Sequence, residues 1–173
     1  MSYVNQAPYI WGSVPGAAQD PRVTGWDCSG MTYWLDQKFG SGQLPAGSHY
    51  QYQWGLDNGK IFSDTSQLQP GDLVFFDTGN YSGGGANLNN AGHVAMYIGN
   101  GKVVHAANPS SGTIISDLAA YQGMYQYLGG MHMSWSGGGS GYGAGNIAGQ
   151  PTQGGGGYSM NDQMYRAMMG LPY

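Results

Sequence analysis

Eleven of the 22 residues from Ser136 to Gly157 are glycine. Such a run has too few side chains to pack and loses too much backbone entropy on ordering, so it reads as a flexible linker. Any core must then come from residues 1–135, with a short segment, 158–173, hung beyond the linker. A stretch of that length suits one domain. With 40% hydrophobic residues in the chain, it has the material for a core. Only 8% of residues are charged, against about 25% in typical soluble domains, so the surface falls largely to Gly, Ser, Asn, Gln and Tyr. The net charge of −4 offers no basic face to displace counterions from phosphates, which argues against a nucleic-acid partner. No run approaches the ~20 apolar residues of a membrane helix, so no membrane partner is expected. One cysteine, Cys28, leaves no internal disulfide. The opening MSYVNQAPYIWG lacks the basic and apolar regions of a signal peptide.

Within residues 1–135 the periodicity changes once. Met31, Leu35 and Phe39 recur at helical spacing from Cys28 to Phe39, with Asp27 at the N-cap position and Gly40 after the last periodic residue. Beyond them, DLVFF (72–76), HVAMYIG (93–99) and KVVHAA (102–107) are short β-branched or aromatic runs bounded by Gly, Pro and Asn, and read as strands. GNG (99–101) predicts a tight hairpin between the last two. LQPGD (68–72) predicts a turn into the first strand, and MYQYLGGMHM (124–133) supplies a further one. One helix followed by a small antiparallel sheet is an α+β layout.

Cys28 falls in the first turn of the expected helix, between Asp27 and Ser29. A lone cysteine is commonly just a small buried hydrophobe. At a helix start, however, free N–H groups and the helix dipole favour a negative group, and a thiol there can drop from about 8.5 into the ~3.5–7.5 range. The thiolate so formed attacks carbonyls, and the same N–H groups can hold the resulting oxyanion. Asp27 and Ser29 would brace the turn, and Gly30 would let another backbone approach closely. A base is also needed. Counting back from the hairpin, His93 falls one or two pairs beyond His105, and both can point to one face. That is the base-plus-orienter arrangement of a Cys–His–X triad. His49 and His132 have no such pattern and read as structural. Cys28, His93 and His105 could instead hold zinc, but no close pair such as CxxC or HExxH accompanies them. No metal or cofactor is therefore expected.

PYIWG, DCSGMTYWL, LQPGDLVFF and HVAMYIGNGKVVHAANP, in that order, resemble the NlpC/P60 family of cell-wall cysteine peptidases over about residues 7–133. The resemblance implies a papain-like α+β fold with Cys28 as nucleophile, His93 as base and His105 as orienting residue. It also implies that Tyr9, Asp27 and Ser29 lie at the substrate site. The implied reaction is thiol endopeptidase cleavage of the peptidoglycan stem peptide, after D-γ-glutamate and before diaminopimelate or lysine, at the bacterial cell wall. Two features depart from the family pattern. Ser13 replaces a second glycine before a lengthened connection to Cys28, and an insertion over 78–92 precedes His93. Both loops would flank the cleft and so bear on substrate preference.

The last segment has its own pattern. Ser159 can cap a short helix on which Met160, Met164 and Met168 share a face and which Gly170 ends. So short a helix is marginal alone in water, and 158–173 reads as a segment that docks on a larger parent assembly. With the glycine-rich linker and the low charge, it suits a phage tail component that opens the wall, or alternatively a secreted bacterial hydrolase. Two further readings keep the fold: a non-catalytic wall-binding or structural virion domain, and an amidase on the same scaffold.

Overall fold

Asp27 starts the principal helix as the sequence implies. The computed structural model describes residues 2–79, 90–135 and 162–172. In it Asp27 is extended and its side chain accepts from the Gly30 N–H, opening α2 (Cys28–Phe39) after the single turn α1 (Pro21–Thr24). Met31, Trp34 and Leu35 are fully buried, and Gly40 ends the helix with its N–H on the Asp36 carbonyl. Gly30 is required by packing, because a Cβ there would lie 2.1 Å from the Ser13 carbonyl oxygen.

A second long helix, α3 (Ser48–Asp57), has no counterpart in the sequence reading. Its inward face is polar. Gln51 is fully buried, donates to the Ser29 and Pro45 carbonyls, and receives the Thr32 hydroxyl at 2.8 Å. Hydrogen bonding takes the place of an apolar stripe here, so the hydrophobic period that normally reveals a helix is missing.

Among the described residues six strands follow: β1 (Ile61–Phe62), β2 (Leu73–Asp77), β3 (Ala91–Gly99), β4 (Lys102–Asn108), β5 (Gly112–Asp117) and β6 (Gln126–Met131). They form one sheet in the order β1-β6-β2-β3-β4-β5, antiparallel at every pairing. The expected hairpin is a two-residue turn in which Asn100 and Gly101 both adopt positive φ, as a type I′ turn requires. Side chains alternate between two cores. Leu73, Phe75, Val94, Met96 and Val104 face the helices α2 and α3, whereas Val74, Phe76, Ala95 and Val103 pack with Leu118 on the other side. That second face is covered by α4 (Leu118–Met124).

The terminal segment returns to this domain. α5 (Asp162–Met169) buries Met164 and Met168 completely in the larger core, and the Met168 carbonyl accepts from the N–H groups of Tyr3 and Val4. Met164 and Met168, expected to face a parent assembly, are thus buried within the chain's own core. The expected linker, 136–157, together with Ser159 and Met160, lies outside the described residues.

Candidate active site

Cys28 is buried at the start of α2. Its sulfur faces the backbone N–H groups of Val94, Ser29 and Cys28 itself, which sets it against β3 beside the residue that follows His93. The helix start does not lower the thiol's pKa as the sequence suggested. Burial, and after it the Asp27 charge, pushes it up to about 12. The cause is visible in the turn. Asp27 already uses the dipole: one carboxylate oxygen accepts from the Gly30 N–H at 2.7 Å and the Ser29 hydroxyl at 2.9 Å, and the other accepts from the Gly12 N–H at 3.0 Å. A thiolate beside it would meet a like charge with little water to screen either.

His93 and His105 are both buried and joined directly, His93 Nε2 to His105 Nδ1 at 2.8 Å. The far nitrogen of His105 lies 3.0 Å from the Ser116 hydroxyl on β5. Register explains the meeting. Met96 pairs with Val104 and Tyr97 with Val103, so continuing the ladder puts Ala95 level with His105 and His93 two residues beyond. Residues two apart share a face. Burial, helped by the His105 ring, pushes His93 down to about 3, and burial pushes His105 down to about 4. Both rings are neutral near pH 7.

Sequence reasoning did not find Tyr121, which α4 places over this pair. Its ring lies 5.5 Å from that of His93 with the planes 29° apart, and 4.7 Å from that of His105, nearly perpendicular. Nor did it find Ser116, because β5 was not read as a strand. In both cases the signal needed was the long-range register that folds β5 and α4 back over β4.

A cavity of about 190 Å³ opens at Cys28, lined among others by Trp11, Asp27, Ser29, Ser48, His49 and Gly92. Asp27 and Ser29 border it, although their side chains are also spent on bracing the turn. Tyr9 is held beside Trp26 by a parallel bridge. There its hydroxyl is pushed up by burial and by the charges of Cys28 and Asp27. His49, read as structural, is buried but borders the cavity. His132, read as structural, lies 3.0 Å from the buried Asp72 carboxylate and is stacked on Phe62. Among the described residues, no three His, Cys, Asp or Glu side chains gather as a metal ion would need.

The order of blocks, the helix-start cysteine and the paired histidines converge with a match of residues 6–131 to the NlpC/P60 family. The chain belongs to the NlpC/P60 family. Its relatives include the murein DD-endopeptidase MepH of Escherichia coli, 33% identical over 122 residues covering 70% of this chain and 39% of that one. The gamma-D-glutamyl-L-lysine dipeptidyl-peptidase of Bacillus cereus is 33% identical over 129 residues, covering 70% of this chain and 32% of its own. The NlpC/P60 domain thus spans well under half the length of either relative. Among solved structures, an NlpC/P60 family protein from Bacillus cereus superimposes with a TM-score of 0.53 at 28% identity, over 75% of this chain and 36% of that one.

Proposed function

We propose that this NlpC/P60 chain is a cysteine peptidase that hydrolyses the peptidoglycan stem peptide, with Cys28 as nucleophile, His93 as base and His105 as orienting residue. The observation that carries the reading is the 2.8 Å bond between His93 Nε2 and His105 Nδ1, with His93 next to Val94, whose N–H the Cys28 sulfur faces. Two neutral imidazoles carry one N–H each. Placing them so that His93 Nε2–H donates to His105 Nδ1, and His105 Nε2–H donates to Ser116 Oγ, satisfies both contacts. His93 Nδ1 is then left with its lone pair, as a base requires.

The thiol proton passes to His93 Nδ1 while the sulfur bonds to the scissile carbonyl carbon. The N–H groups of Cys28 and Ser29 at the helix start face the developing oxyanion. Collapse breaks the C–N bond, and His93 returns its proton to the leaving amine. Water then attacks the thioester with His93 taking its proton. The C–S bond breaks and the thiol is regenerated as the peptide acid leaves.

The proposed bond is the one joining D-γ-glutamate to diaminopimelate or lysine, which the name of the Bacillus cereus relative supports. The Escherichia coli relative is named for a different specificity, so the loops bordering the cavity are where bond choice would be set. The test is digestion of purified muropeptides of both the diaminopimelate and lysine types by wild type and Cys28→Ala, with products read by mass spectrometry. The expected result is a fragment with a new N-terminal diaminopimelate or lysine, made by wild type alone. Cleavage by Cys28→Ala, or none by folded wild type on either substrate, would overturn the proposal.

A further inference from the structure

We propose that Tyr121 is a positioning residue for the Cys28–His93 pair: its ring face lies against His93 and stabilises the imidazolium formed when the thiol gives up its proton. The inference rests on the roles given above to Cys28 and His93.

The geometry supports it in three ways. First, the Tyr121 and His93 rings are stacked at 5.5 Å between centroids, within the roughly 6 Å over which an aromatic face attracts a cation. Second, the same ring meets His105 edge to face at 4.7 Å, so it covers the hydrogen bond between the two imidazoles and keeps water from competing for it. Third, Tyr121 is itself fixed by Phe76 at 5.4 Å and Tyr125 at 5.6 Å, so its plane is set by packing.

The chemistry gives that ring a task. Tyr121 covers the dyad from α4, and the Cys28 sulfur lies against β3 at Val94, the residue after His93. Burial and the His105 ring both oppose charge on His93. Where many triads place a carboxylate, the orienting group here is a neutral imidazole. The negative π face of Tyr121 is a source of attraction for the imidazolium that costs no buried charge. Its hydroxyl, pushed up to about 12 by burial and the neighbouring Tyr125 and Cys28, stays neutral throughout, so the ring and not a phenolate does the work.

The test uses the full chain with Tyr121→Phe, which keeps the π face, and Tyr121→Leu, which removes it. The primary readout is the second-order rate of Cys28 alkylation by iodoacetamide from pH 5 to pH 9, which reports proton transfer to His93 without any peptidoglycan. The Leu variant is expected to react about tenfold more slowly and the Phe variant within about twofold of wild type. On muropeptides, kcat should fall by the same factors with KM unchanged. If the Leu variant loses its thermal transition, Tyr121→Met retains apolar volume without a π face and carries the same expectation. Wild-type alkylation in the Leu or Met variant, or equal loss in Phe and Leu, would overturn the role of the ring. A clear Phe-against-Leu difference in alkylation, with no muropeptide cleaved by wild type, would uphold Tyr121 and overturn the substrate.

Discussion

Replacing His105 by alanine isolates the orienting bond. In the wild type His93 Nε2 lies 2.8 Å from His105 Nδ1, to which its N–H donates in the proposed tautomer, and the His105 ring is itself completely buried. Alanine leaves that N–H without its acceptor and lets the proton settle on Nδ1, the nitrogen that accepts from the thiol in the proposed mechanism. A buried donor left unsatisfied costs about 1–3 kcal/mol, equivalent to roughly a 5- to 150-fold loss in the competent arrangement. Water entering the vacated space would recover part of this, so the expected kcat loss is about 10- to 100-fold, smaller than for Cys28→Ala or His93→Ala. His105→Asn supplies the control, because its Oδ1 stands at the same point along the side chain as Nδ1 and can accept from His93. Initial rates on muropeptides, alongside thermal melts to verify folding, decide the matter. Full activity in His105→Ala, or an Asn variant no better than alanine while both fold, would refute the reasoning.

Two further outcomes concern stability. His93 and His105 are held by burial at about 3 and 4 against 6.5 in an unfolded chain, so below pH 6.5 the unfolded state binds protons that the folded state does not. Stability present above that pH is lost as it falls, by up to about 2.7 kcal/mol per ring at two pH units below; Tm should drop between pH 7.5 and pH 5, and a His93→Gln/His105→Gln protein should lose most of that dependence. Met168 is completely buried on α5, so Met168→Ala should cost about 2–5 kcal/mol and lower Tm by roughly 5–15 °C, whereas Gln163→Ala on the exposed side should leave it unchanged. An unaltered Tm in Met168→Ala would show that α5 is not part of the folded core.

The features legible in the sequence are those whose physics is local. Asp27 as cap, the stripe of Met31 and Leu35, the I′ turn at Asn100 and Gly101, and the placing of His93 and His105 on one face all follow from spacings within one element or one hairpin. The parts that were missed depend on distant partners. The helix α3 hides because its buried face is Gln51 bonded to Thr32 and Ser29 rather than an apolar stripe. Ser116 and Tyr121 come to the dyad only through the pairing of β5 with β4 and the return of α4, which no short window contains. The thiol was misjudged for a related reason. The helix dipole is a property of the turn, but the burial that outweighs it is a property of the whole fold.

That burial determines how the proposed chemistry must run. With Cys28 pushed to about 12 and His93 to about 3, neither ion forms singly near neutral pH. Passing the proton from one to the other creates both at once with no change in net charge. Their attraction in a poorly screened interior then offsets much of the desolvation each would suffer alone. Charge therefore appears within the pair only as the sulfur attacks. Among the described residues, the one carboxylate or basic side chain bordering the Cys28 cavity is that of Asp27, whose oxygens are already engaged by Gly12, Ser29 and Gly30. A site so arranged draws little on long-range fields and much on close neighbours. The His105 acceptor and the N–H groups at the start of α2 matter most in it, because each acts at the moment and the atom where charge develops.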